Sequence, residues 1–189
     1  MIAEASAPSR LVARRLPAWL RTAAPWLALA AILAVTAYTR LARLDLIDFK
    51  ADEAELAVLA QKVVAGAWPL ASIRTSVGPD NPPLPVYLFA LPGLFSRNPI
   101  WMAALTACLN ALAVPAVFLI GQRYFCRRVG LFAAVLFAAD AYVTLLARKP
   151  AGTFMEPAGA ALLLWLLLAA AGGSVWAWAG AFVALGLLV

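Results

Sequence analysis

The chain has 189 residues, of which 65% are hydrophobic and only 13% are charged, and this composition excludes an ordinary soluble domain. The net charge of +6 at pH 7 does not indicate nucleic-acid binding, because the basic residues flank apolar runs, where Lys and Arg orient membrane helices. The sequence has no histidine, which excludes His-based catalysis and His metal ligands. Its two cysteines give no support for a disulfide framework or a Cys metal site.

Long uncharged runs predict the fold class. Three of them, at 22–39, 98–122 and 157–189, are each long enough to cross a bilayer, which takes ~20 helical residues. Only helices and closed barrels span lipid, and no strand alternation favours a barrel. The sequence therefore predicts an all-α, polytopic transmembrane helical bundle.

The predicted organisation is a cytoplasmic basic tail at 1–23 and a transmembrane domain at 24–189. We expect five spans, at 24–39, 98–121, 129–147, 157–171 and 175–189. The tripeptide Gly-Gly-Ser at 172–174 predicts a turn before the fifth span. The chain ends at Val189 inside an apolar run, which is typical of the N-terminal part of a longer protein.

The segment 82–95 is apolar but is not predicted to span. It is shorter than ~20 residues, and Pro85 and Pro92 are expected to interrupt any helix, because each removes a backbone hydrogen bond. We interpret 40–97 as one extracytoplasmic loop with short interfacial helices. The basic loop at 121–128 then shares the cytoplasmic side with the basic tail, in agreement with the positive-inside rule.

Six of the nine acidic residues lie between Asp45 and Asp80, and they raise two alternatives. A helical pattern begins at Asp52, with an apolar face that lies in the membrane interface, and Gly66 ends it. In the first alternative Asp52 is the N-cap and forms a capping box with Glu55. In the second it is a carboxylate base that accepts a proton from a hydroxyl or amine.

Other charged residues near this loop are candidates for binding an anionic lipid phosphate through charge-assisted hydrogen bonds. Asp140, inside the third span, is a further candidate, because intramembrane carboxylates mark functional sites. For Arg148 and Lys149 the alternative is a role as interfacial anchors. The candidate phosphate ligands are Lys50, Arg74, Arg148 and Lys149.

Three motifs occur in an order that resembles the GT-C superfamily of glycosyltransferases, in the branch of the protein O-mannosyltransferases and lipid A aminoarabinose transferases. An Asp52-Glu53 pair opens a juxtamembrane helix. The element Asn-Pro-Pro-Leu at 81–84 follows in the same loop, and Arg148 precedes the acidic Glu156 after the third span. The resemblance covers about residues 24–189. Glu156 stands where the family usually has Asp.

The resemblance implies transfer of a sugar from a polyprenyl-phosphate donor to a lipid, glycan or protein acceptor, with inversion. Asp52, with Glu53 beside it, would be the catalytic base, and Glu156 would help to bind substrate. Asn81, Pro82 and Pro83 would belong to the substrate-binding loop. The lipid-linked donor is the implied co-substrate, and dependence on a divalent metal is left open.

The implied location is the cell membrane, as a multi-pass protein with its N-terminus in the cytoplasm and its active site outside. No nucleic-acid partner is expected. The alternative function is a non-catalytic polytopic membrane protein, such as a transporter fragment or an assembly factor. A third hypothesis is that the chain is an inactive fragment of an enzyme.

Overall fold

The computed structural model describes residues 18–46, 49–74, 78, 80–151 and 156–188. Within these residues the chain is helical, and its only β-type pairing is an isolated bridge between Arg74 and Asp80. The all-α prediction is thus confirmed. Residues 1–17 of the predicted basic tail lie outside the described residues, and the first helix already begins at Ala18.

Eight α-helices follow one another in the described part of the chain, with a short 3₁₀ turn at Leu44–Leu46 after the first. They are α1 Ala18–Leu41, α2 Ala51–Val64, α3 Leu84–Gly93, α4 Ile100–Tyr124, α5 Arg127–Ala139, α6 Ala141–Leu146, α7 Glu156–Ala171 and α8 Val175–Leu188.

Two of the described helices are long and apolar enough to cross a membrane. They are residues 23–41 of α1 and the whole of α4, whose 25 residues extend ~37 Å at helical rise. The apolar helices α3, α7 and α8 are shorter, at 10, 16 and 14 residues. Length and composition therefore identify two candidate spans, and the arrangement with five spans stays a prediction.

The predicted third span, 129–147, is divided in the structure. α5 ends at Ala139, Asp140 has extended backbone geometry, and α6 begins at Ala141. The Asp140 carboxylate accepts a hydrogen bond of 2.8 Å from the backbone N–H of Val143. An N-cap carboxylate satisfies an amide at a helix start in this way, so Asp140 begins α6.

The proline-rich segment 82–95 forms the short helix α3, as predicted. Pro83 is its N-cap, and Pro85 lies in the first turn, where a backbone N–H has no intrahelical partner. Pro92 was expected to interrupt the helix, and this was wrong, because α3 continues through it to Gly93. Pro92 has no N–H to donate to the carbonyl of Leu88, so the helix continues for one residue beyond it without that hydrogen bond.

The predicted end of α2 and the predicted turn at 172–174 are both confirmed. Gly66 has a φ of +97°, and the amides of Gly66 and Ala67 donate to the carbonyls of Val63 and Lys62. Gly173 has the same φ in the connection between α7 and α8. Glycine suits this left-handed geometry, because it has no Cβ to clash with the carbonyl oxygen.

The helix α4 is central, because two hydrophobic clusters share it. One cluster joins α2, α3 and the start of α4 through Leu56, Ala60, Val86, Phe89 and Met102. The other joins α1, the second half of α4 and α5 through Leu29, Val114, Phe118 and Ala134.

The contacts also show that α1 and α4 run antiparallel. The ring of Trp26 meets Phe118 edge-on at 5.5 Å, whereas Arg40, later in α1, meets Asn110, earlier in α4. The start of α1 and the connection between α4 and α5 are thus at one end of the bundle. That connection consists of Phe125 and Cys126, so the predicted basic loop at 121–128 is largely helical.

A close approach between glycines fixes the packing of α5 on α4. A Cβ added to Gly130 would lie 2.5 Å from the carbonyl oxygen of Phe118 and 2.9 Å from the backbone nitrogen of Gln122. A Cβ added to Gly121 would lie 2.6 Å from the Cα of Gly130. The neighbouring atoms belong to the backbone, so a larger residue at either position must move a helix.

Replacing Gly130 by alanine should therefore lower the free energy of unfolding by about 1–3 kcal/mol, as for other overpacked interfaces. The matched control is Gly180→Ala in α8, where the three atoms nearest to the new methyl belong to the side chain of Leu166 and not to the backbone. Unfolding of the purified proteins in detergent micelles measures both. Equal stability of the two variants would show that the glycine contact does not hold the helices together.

Candidate functional site

The acidic pair at the start of α2 is divided between two environments. Glu53 is buried, with 6% of its surface exposed, and its Oε2 accepts a hydrogen bond of 2.8 Å from the backbone N–H of Lys50. Lys50 is the N-cap and Glu53 is the third helical residue. A carboxylate at this position typically reaches back to the N-cap amide, so Glu53 stabilises the helix start.

The prediction that Asp52 is the N-cap of α2 was wrong. The helix begins at Ala51, one residue before Asp52, so Asp52 is the second helical residue and cannot be the N-cap. The predicted capping box with Glu55 is replaced by the pair Lys50 and Glu53. Both Asp52 and Glu55 are exposed.

The carboxylate of Asp52 has no hydrogen bond or ion pair with any other described residue. It lies in the first turn of α2, where the free N–H groups and the helix dipole favour negative charge. An exposed carboxylate without a structural partner is free to contact a substrate. Of the Asp52-Glu53 pair, only Asp52 meets this condition.

The loop before α3 has an internal structure of its own. The side-chain amide of Asn81 donates to the carbonyl of Ile73 at 3.0 Å, and the backbones of Ser72, Ile73 and Asn81 are paired. Arg74 forms an exposed ion pair with Asp80 at 3.4 Å. Asn81 and Arg74, predicted to bind substrate, therefore both hold this loop together.

The two prolines of the same motif begin a helix. Pro82 and Pro83 are half-buried, and Pro83 is the N-cap of α3. Tyr87, one turn later, donates its hydroxyl to the carbonyl of Pro69 at 2.7 Å and packs against Trp68. The motif thus positions α3 against the loop that follows α2.

Arg148 binds backbone at the end of α1. Its Nη2 donates to the carbonyls of Ala42 and Arg43, at 2.8 and 2.6 Å. Carbonyls at a helix end lack intrahelical partners, and a guanidinium is well suited to satisfy them. Arg148 therefore joins the two segments that lead to Asp52 and to Glu156.

An exposed ion pair lies beside this contact. Arg43 binds Asp45 at 3.3 Å, and this hydrogen bond is the main reason that the pKa of Asp45 lies below its ordinary value. The charges of Arg43 and Arg148 act in the same direction. Asp45 is thus held as a carboxylate at the end of α1.

The other predicted ligands are distributed around these segments. Glu156 is exposed and is the first residue of α7, and residues 152–155 before it lie outside the described residues. Lys149 is half-buried and Lys50 is exposed, and both have contacts of their own. The structure brings Arg148 to the end of α1, while proximity of Asp52 and Glu156 stays a prediction.

Arg40 is a buried charged residue that sequence reasoning missed. It is 0% exposed and donates to the carbonyls of Asn110 and Phe137, at 3.3 and 3.4 Å. Its guanidinium lies over the ring of Phe137, 5.4 Å from the centroid. The sequence feature that could have identified it is an arginine in the last turn of an apolar helix, because a charged side chain there needs a partner inside the bundle.

No cluster of three or more potential metal ligands occurs among the described residues. Comparisons of the chain with protein-family models, with curated proteins and with solved structures found no match. The assignment of function therefore depends on the residues themselves.

Proposed function

We propose that the chain provides the catalytic base of a membrane glycosyltransferase of the GT-C type. The donor is a sugar linked to a polyprenyl phosphate, and the acceptor lies at the extracytoplasmic face. The proposal rests on the different environments of Asp52 and Glu53. Glu53 is buried in a helix-capping bond, whereas Asp52 beside it is exposed and free of described partners.

The proposed reaction is a single displacement at the anomeric carbon. The acceptor hydroxyl or amine forms a bond to this carbon while the bond to the phosphate oxygen breaks, so the configuration inverts. The acceptor proton passes to the Asp52 carboxylate, and polyprenyl phosphate leaves with the bonding electrons. A base within hydrogen-bond reach of the acceptor contributes ~10²–10⁴-fold to such a step.

Placement in a membrane is supported by the two long apolar helices and by the separation of charge along the bundle. Arg123, Arg127 and Arg128 surround the connection between α4 and α5, at the end where α1 begins. The sequence has no acidic residue between Asp80 and Asp140. The positive-inside rule then puts this end in the cytoplasm.

The end of α1 that leads to α2 lies on the opposite side of the bundle under this proposal. Arg148 ties the segment before α7 to the same end, so both acidic segments of the predicted site start there. Lys50, the N-cap of α2, precedes Asp52 by two residues and is the cation nearest to it in sequence for contact with the donor phosphate. Arg148 contributes by holding the two segments together.

The test is sugar transfer by the full-length protein in proteoliposomes of uniform orientation. Polyprenyl-phosphate hexoses and pentoses are supplied to one leaflet at a time together with lipid, glycan and peptide acceptors, and free polyprenyl phosphate is measured. We expect it to form only when the donor reaches the leaflet on the α2 side. Absence of product from every donor in either leaflet would favour the non-catalytic alternative.

A further inference from the structure

An open groove of about 440 Å³ lies along the side of α2, between that helix and the connection from α3 to α4. Its walls are Ala57, Val58, Gln61, Lys62, Ala65 and Arg97. Gly93 allows the close approach of α3 on this side, because a Cβ there would lie 3.1 Å from a methyl carbon of Val64. The groove is thus a feature of how α2 packs on α3.

The chemistry of the groove is complementary to that of an anionic amphiphile. Its floor is apolar, and its two charged residues, Lys62 and Arg97, are both cations and both exposed. Neither cation has an ion pair with an acidic residue among the described residues. An apolar surface with two unneutralised cations complements a phosphate group that carries hydrocarbon chains.

We propose that this groove binds one anionic phospholipid of the surrounding bilayer. The phosphate lies between Lys62 and Arg97, and the start of an acyl chain covers Ala57, Val58 and Ala65. Lys62 is ten residues after Asp52, which is ~15 Å along the helix. One phosphate cannot contact Lys62 and also react beside Asp52, so the lipid site is separate from the proposed reaction centre and does not depend on it.

Photo-crosslinking in the full-length protein tests this proposal. Benzoyl-phenylalanine replaces Val58, which is 53% exposed and should tolerate the change. The protein is placed in nanodiscs of phosphatidylglycerol or of phosphatidylcholine, and lipid adducts are measured by mass spectrometry. The test variant is Lys62→Gln with Arg97→Gln. The matched control, Arg43→Gln with Arg74→Gln, removes the same charge from two exposed arginines outside the groove, each of which forms an ion pair with an aspartate.

We expect a phosphatidylglycerol adduct with the parent protein and with the control. The test variant should lower its yield on the order of tenfold, since each cation near an anionic lipid contributes measurably to binding. Phosphatidylcholine should give little adduct in every protein. The proposal is overturned if the yield does not depend on Lys62 and Arg97, if the control loses as much, or if crosslinking joins Val58 to another part of the chain.

Discussion

Replacing Arg40 by alanine should lower the free energy of unfolding by about 2–5 kcal/mol, the usual cost of cutting a large buried side chain to alanine. The side chain is fully buried, so the change leaves a cavity between α1, α4 and α5. It also removes the donor to the carbonyl of Phe137. That carbonyl has no partner within its helix, because α5 ends at Ala139.

Two further variants separate the hydrogen bonds from the volume. Arg40→Met fills much of the space and should recover only part of the loss, because the Phe137 carbonyl stays unpaired. Arg43→Ala is the matched control, since this arginine forms an exposed ion pair and should contribute no more than about 1 kcal/mol. Unfolding in detergent micelles measures all three. Equal losses for Arg40→Ala and Arg43→Ala would contradict the role given to Arg40.

Features with a local signal were predictable from the sequence. Gly66 ends α2 and Gly173 turns the chain between α7 and α8, because each position needs a positive φ that glycine adopts without strain. The short helix α3 followed from the prolines around it and from its length. The all-helical fold followed from the long apolar runs.

Features that depend on register or on distant contacts were not predictable. The sequence around Asp52 offers three acidic residues, and a shift of two residues in the N-cap, from Asp52 to Lys50, transfers the role of the capping carboxylate from Glu55 to Glu53. The break at Asp140 required the knowledge that its carboxylate faces the amide of Val143. Without this contact, the apolar residues on either side of Asp140 predict a single span.

The positions of the arginines depended on tertiary structure. Arg148 contacts carbonyls more than a hundred residues earlier in the chain, and Arg40 contacts two helices that follow it at different distances. A sequence pattern shows that such residues are costly in an apolar bundle but does not identify their partners. Arg148 was therefore placed among the phosphate ligands, whereas its described contacts are with backbone.

The central claim is that Asp52 accepts the acceptor's proton, and Asp52→Asn is the change that isolates this role. Asparagine keeps the size of the side chain and leaves the bond between Lys50 and Glu53 intact. Loss of one charge in the first turn of α2 should cost no more than about 1 kcal/mol of stability. The variant should therefore fold and bind its lipid donor. Turnover should fall ~10²-fold or more, because no base remains at this position.

The most direct measurement is the rate of sugar transfer from a labelled polyprenyl-phosphate donor by purified full-length protein. Asp52→Asn is compared with Glu55→Gln, which removes an equally exposed carboxylate from the same helix. We predict that Glu55→Gln retains wild-type turnover while Asp52→Asn loses it, at equal stability and equal donor binding. Near-normal turnover by Asp52→Asn would contradict the assignment of Asp52 as the base.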